Sequence, residues 1–145
     1  YFEYDKSNLK DSDQYDVVIH LRLGDYVSLD HYIDPNKVYE LYKSLNFRNC
    51  LVLTDEPNSN LLRSFRDDYS CKIESNSEIQ DLHYMITSKN IIISQSTFSW
   101  WGSYLASNKV IYVPYCDSEY PWSLNPKIDD IDLIPDFKNY KKIKL

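Results

Sequence analysis

His20-Leu21-Arg22-Leu23-Gly24-Asp25-Tyr26 closes an apolar run at Val17 to Ile19, and Ser94-Gln95-Ser96-Thr97-Phe98-Ser99-Trp100-Trp101-Gly102-Ser103-Tyr104-Leu105 follows a second run, Ile91 to Ile93. Each segment reads as a strand whose carboxyl end turns into a loop or helix carrying polar groups. Working outward, a strand is expected over Tyr15 to Leu23 and a helix over Pro35 to Phe47, where Val38, Leu41, Tyr42 and Leu45 recur at helical spacing. A strand at Leu51 to Thr54, a helix near Ser59 to Tyr69, a strand near Cys71 to Ile73 and a helix from about Ser77 to Ser88 follow. Asn90 to Ser94 and Val110 to Val113 are expected as the last strands, with a helix from Thr97 to Ser107 between them. This alternation predicts an α/β fold, a Rossmann-like parallel sheet with flanking helices over residues 15–114. In such a sheet the ligand crevice lies at the carboxyl ends of the strands, where both quoted segments fall.

After Pro114 the alternation stops. Pro121, Pro126 and Pro135 interrupt helix and ladder hydrogen bonding, so residues 115–145 are expected as a wrapping tail with one short helix at most. Residues 1–14 read as a linker or the end of a missing amino-terminal domain. A chain of 145 residues with 43% hydrophobic content can bury one core. Its aliphatic runs, such as Ile91 to Ile93, fall far short of the roughly 20 apolar residues that span a bilayer. The formal charge of −6 argues against a general nucleic-acid surface, which needs clustered Lys and Arg. Only Lys138 to Lys144 is basic. Three scattered cysteines, Cys50, Cys71 and Cys116, without CxxC spacing, suit buried thiols in a reducing compartment. A cytoplasmic location follows, either free or peripheral to a membrane.

His20 and Arg22 alternate with apolar neighbours, so in an extended strand both point to one face. A guanidinium and an imidazole projecting together can grip a diphosphate. Equally, Arg22 can pair with Asp25 or Asp55 while His20 is a satisfied core histidine. Gly24 falls where the strand must bend and is expected to supply a backbone geometry that a side chain would penalise. Asp25 is either a general base for an acceptor hydroxyl or a turn cap. Ser96 or Thr97 can cap the next helix, leaving amides and hydroxyls at its positive end where anions bind. Adjacent Trp100 and Trp101 point to different sides of that helix, one into the core and one toward a pocket or partner. Asp81 either accepts hydrogen bonds from a base or ribose edge or is an ordinary helix carboxylate. Asp55 and Glu56 could form a metal-binding pair, although a turn or cap fits them better. No GxGxxG, GxxxxGK[ST] or GxSxG pattern occurs, which removes the main support for dinucleotide, P-loop and serine-hydrolase chemistry.

Taken together, the two segments resemble the α-1,2-fucosyltransferase family, glycosyltransferase family 11, whose hallmark segments run HxRRGDY and SNSTFSWWxxYL. The intervening stretch from Asp81 to Ile93 resembles the family as well. The resemblance implies the carboxyl-terminal, GDP-fucose-binding half of a GT-B glycosyltransferase, inverting, with no metal cofactor. It implies that Arg22 holds the diphosphate, that His20 lies against the nucleotide sugar, and that Ser96, Thr97 and Phe98, with Ser94 and Gln95 before them, cradle phosphate and fucose. Asp81 would approach the guanosine. Arg22 and Asp25 are the candidate catalytic groups, since charge developing on departing GDP is stabilised by a guanidinium and a helix terminus. The implied partners are GDP-fucose, a glycan acceptor attacking through a hydroxyl such as galactose 2-OH, and a missing amino-terminal domain or second chain. Two positions depart from the family pattern, Leu23 for its second arginine and Gln95 for its asparagine. A non-catalytic nucleotide-sugar-binding or assembly module is the alternative.

Overall fold

The computed structural model describes residues 3–28, 32–106, 109–115 and 138–145. Among them six strands form one all-parallel sheet: β1 Val17–Leu21, β2 Cys50–Thr54, β3 Cys71–Glu74, β4 Asn90–Ile92, β5 Val110–Tyr115 and β6 Tyr140–Lys144. The helices are α1 Gly24–Ser28, α2 Pro35–Ser44, α3 Arg63–Arg66, α4 Glu78–Thr87 and α5 Thr97–Leu105. The spatial order is β3-β2-β1-β4-β5-β6, so the winding reverses between β1 and β4. The expected Rossmann-like arrangement is therefore the observed one, and its switch point lies between the two segments quoted above.

Both faces of the sheet are covered. Every residue of β1 and β2 is buried, as a central parallel strand with helices on either side requires. Val17, Ile19, Leu21 and Leu23 pack with Val38, Leu41, Tyr42 and Phe65 from α2 and α3. Val18, Leu51, Leu53, Ile91 and Ile93 pack on the other face with Tyr84 and Met85 of α4. This parity sends His20 and Arg22 toward the α4 and α5 side, as alternation along the strand demands.

Local chemistry sets the helix ends. Asp34 caps α2 by accepting from the Asn36 amide at 2.9 Å, with Pro35 at the first helical position. The helix stops at Ser44, short of the expected Phe47, because Asn46 adopts a left-handed φ of 57°, which asparagine tolerates. The expected helix over 59–69 is instead a 3₁₀ turn at Asn60–Leu62 followed by one α turn. The strand expected to reach Leu23 ends at Leu21, and α1 begins at Gly24 without having been foreseen. Gly24 also corrects its expected role, since no glycine has positive φ. It is glycine because a Cβ there would run into the Asp55 carboxylate.

Val110–Tyr115 is not the last strand. Tyr140–Lys144 pairs with it over five positions, from Ile111↔Tyr140 to Tyr115↔Lys144, and forms the sheet edge. The expected tail otherwise lies largely outside the described residues, as does Cys116. At the other end, residues 4–12 lie along α4. The Ser12 hydroxyl donates to the Tyr84 carbonyl at 2.8 Å, and Lys10 and Gln80 exchange two backbone to side-chain bonds of 3.0 and 2.8 Å. His83 is spent on this contact, with Tyr4 Oη at 2.7 Å from its Nδ1 and Asp11 Oδ1 at 2.5 Å from its Nε2. No helix among the described residues is long and apolar enough to cross a membrane.

Candidate functional site

A cleft of about 530 Å³ opens over the carboxyl ends of β1, β2 and β3 and the first turns of α4 and α5. His20, Arg22, Asp25, Asp81, Ser96, Thr97 and Phe98 line it, together with Tyr26, Thr54, Asp55, Ser75, Asn76 and Glu78. Residues from sequence positions 20 to 98 thus meet at one place because parallel strands deliver all their carboxyl ends to the same edge of the sheet.

His20 is 6% exposed. Its Nδ1 sits 2.6 Å from Ser99 Oγ, which also accepts from the Ser94 amide at 3.2 Å. Its Nε2 has no hydrogen-bond partner among the described residues. Burial holds His20 far below its ordinary range, at about 4; Asp55 opposes that shift and Arg22 adds to it. The ring is neutral at pH 7 and presents one uncharged nitrogen to the cleft. Phe98 packs beside it with ring centroids 5.3 Å apart.

Ser96 caps α5 by accepting from the Ser99 amide at 3.0 Å. Thr97 and Phe98 occupy the first turn at the positive end of the helix dipole, where amides have no intrahelical acceptor. The predicted anion-binding helix start is thus at the cleft wall. Ser94 and Gln95 are not on that wall. Ser94 stands behind it, with its hydroxyl accepting from the Arg22 amide at 3.3 Å.

Arg22 is held by two carboxylates, with Nη2 2.9 Å from Asp25 Oδ1 and Nε 3.5 Å from Asp55 Oδ2. Burial would lower its pKa, but the Asp25 hydrogen bond and the charges of Asp55 and Asp25 outweigh that and raise it. Its guanidinium also lies 5.5 Å from the Tyr26 ring centroid. Asp55 does more than pair with Arg22: its Oδ1 accepts from the Leu23 amide at 2.8 Å. It therefore acts as an acceptor fixing the β1 to α1 turn. Leu23 itself is 1% exposed and packs in the α2-side core, so the family's second arginine position points away from the cleft here.

Asp81 lies on the far wall, 8% exposed, with Oδ1 accepting from Asn76 Nδ2 at 2.9 Å. Burial pushes its pKa up to about 6, with the Asn76 bond opposing and Glu74 adding to the rise. A carboxyl so placed takes up a proton readily or meets a donor from a ligand. Asp55 takes the ion-pair and turn role read for it above, whereas Ser99 and Asn76 are the residues whose part sequence reasoning missed. Ser99 alone had a legible signal, three residues after a helix cap within the quoted segment.

The geometry combines a neutral imidazole, a tethered guanidinium and a helix start at the switch point of a doubly wound sheet. The comparison with known families follows the same part of the chain. Residues 58–125 match the glycosyl transferase family 11 model. The matched segment contains α4, β4 and α5, hence Asp81 and the whole Ser94 to Leu105 stretch, whereas His20 to Tyr26 precede it. The chain is also 28% identical over 137 residues to an alpha-1,2-colitosyltransferase of Escherichia coli, an alignment covering 83% of this chain. It spans 45% of the length of that relative. No solved structure matches the chain. Trp100 and Trp101 divide as expected: Trp100 packs against the α4-side core while Trp101 is 52% exposed.

Proposed function

We propose that this chain is the donor-binding part of an inverting glycosyltransferase that moves fucose, or a related deoxyhexose, from a GDP-activated donor to a glycan hydroxyl such as galactose 2-OH, without a metal cofactor. The observation that carries this reading is His20. A buried, neutral imidazole with an unused Nε2 faces the same cleft as the α5 amino terminus, and the diphosphate of a nucleotide sugar supplies acceptors for both. Arg22 would turn from Asp25 toward the phosphates and stabilise the charge that develops on departing GDP. Released from that pair, Asp25 would be the nearest carboxylate to act as general base. Asp81 would meet the donor edge of guanine. The colitosyltransferase relative supports a deoxyhexose donor, and the buried place of Leu23 supports retained phosphate binding despite the missing arginine.

Calorimetric titration with GDP, with ADP and UDP as controls, tests this reading. Selective GDP binding is expected, and Arg22→Ala should weaken it by roughly 10- to 150-fold, the equivalent of about 1.5–3 kcal/mol for a charge-assisted bond. Equal binding of all three nucleotides, or of none, would remove the donor-site reading.

One observation favours a second reading, a nucleotide-sugar-binding module without transfer: Arg22 and Asp25 neutralise each other in an ion pair. GDP-fucose hydrolysis or transfer by the chain would count against it. Binding without turnover would favour it.

A further inference from the structure

Cys50 opens β2 and Cys71 opens β3, and the parallel register pairs them directly. Paired positions on neighbouring strands send their side chains to the same face, and both sulfurs join the core beneath α2 and α3. Neighbouring strands lie roughly 4.8 Å apart, inside the range of roughly 4.4–6.8 Å between Cα atoms that a disulfide spans. Both thiols are free. We propose that Cys50 and Cys71 form a redox pair that a hydroperoxide closes into a cross-strand disulfide, stapling the edge strand β3 to β2.

The roles of the two sulfurs follow from their surroundings. Cys71 is half-buried and lies 3.9 Å from the Ser70 hydroxyl, so it is the sulfur that a small peroxide reaches first; the neighbouring Cys50 and Ser70 also lower its pKa. Cys50 is fully buried, and the neighbouring Cys71 together with burial keeps its own proton on. Cys71 is therefore the attacking sulfur. Its sulfur bonds to one peroxide oxygen as the O–O bond breaks, giving a sulfenic acid and, from hydrogen peroxide, one water. The Cys50 sulfur then attacks the Cys71 sulfur, the S–O bond breaks, and the Cys50 proton leaves with the hydroxide as a second water. Two thiols are oxidised and one peroxide is reduced.

The staple bears on the cleft only from a distance. β3 is one edge of the sheet, paired among the described strands only with β2 through four register positions, and it leads directly into Asn76, which fixes Asp81. The cysteines sit at the opposite ends of these strands from the cleft. This inference is independent of the proposed donor chemistry.

Treatment of the whole chain with hydrogen peroxide, followed by non-reducing digestion and mass spectrometry, tests it. The expected product lacks two hydrogens, yields a joined Cys50–Cys71 peptide, reverts with dithiothreitol and melts several degrees higher, because the bond restricts the unfolded chain. Cys116→Ser should still form it, whereas Cys71→Ser should not. The peptide map of the unsubstituted chain decides by itself if Cys71→Ser does not fold. Cys71 carried to sulfinic acid with Cys50 still reduced, or a crosslink through Cys116, would overturn the proposal.

Discussion

His20→Gln should remove a pH dependence of stability that only the folded chain creates. In the unfolded chain this imidazole takes a proton near 6.5, and in the fold it resists protonation until about 4, chiefly because burial penalises the charged form. Between those values the unfolded state binds more protons, so stability is complete above 6.5 and is lost as pH falls toward 4. At ~1.36 kcal/mol per pH unit over that window, the loss comes to about 3 kcal/mol. Glutamine carries no titrating group, yet its amide oxygen can still accept from the Ser99 hydroxyl. The variant will have its own constant offset, so the informative quantity is the stability gap between wild type and variant. Urea unfolding followed by tryptophan fluorescence at pH 7, 6, 5 and 4 measures it. The gap should be widest at pH 7 and shrink by about 3 kcal/mol at pH 4. A gap that stays constant across this range would refute the buried neutral imidazole, and with it the uncharged nitrogen proposed for the donor phosphates.

Asp81 should behave with the opposite sign: its folded pKa is raised to about 6, so the stability it contributes below 3.8 is lost as pH rises through 6. Asp81→Asn should accordingly gain about 2 kcal/mol on wild type between pH 4 and pH 7, and a flat difference in urea titrations would contradict the burial argument. Gly24→Ala should cost about 1–3 kcal/mol in thermal unfolding, because its Cβ must displace the Asp55 carboxylate that accepts from the Leu23 amide. Retention of wild-type stability by that variant would show that the Asp55 side chain yields freely. Leu23→Arg, which restores the family pattern, should destabilise by about 3 kcal/mol or more, since it places a charge among buried apolar side chains. Its GDP affinity should not improve, and a tighter-binding, stable variant would show that position 23 reaches the phosphates.

Much of the fold was legible because its signals are local. Continuous apolar runs mark β1 and β2, which have both faces covered, and helical spacing at Val38, Leu41 and Tyr42 marks α2. The edge strand β6 escaped notice because Tyr140–Lys144 carries three lysines and resembles a solvated tail; only its ladder with β5 makes it a strand. Lysine on an exposed edge strand also blunts further strand pairing. The single turn of α3 was overestimated for a different reason: Leu61, Leu62 and Phe65 share a helical spacing that the 3₁₀ turn satisfies as well.

Residue order alone was enough to show which groups could carry chemistry and at which strand ends they would sit. Alternation put His20 and Arg22 on one face, and Ser96 was readable as a helix cap. How those groups stand toward one another depends on long-range packing. Arg22 was open between phosphate ligand and ion-pair partner, and the fold places it 2.9 Å from Asp25 and 3.5 Å from Asp55. His20 is both a satisfied core histidine at Nδ1 and an open donor or acceptor at Nε2, because Ser99 arrives from α5 to meet only one nitrogen. The reason for Gly24 was likewise hidden, since it lies in the Asp55 side chain and not in the glycine's own backbone angles. Pattern and propensity act over a few neighbouring residues. Burial, the Arg22–Asp55 pair and the packing of the Asp55 carboxylate against Gly24 depend on residues 31 to 79 positions apart, which meet only when parallel strands bring their ends to one edge.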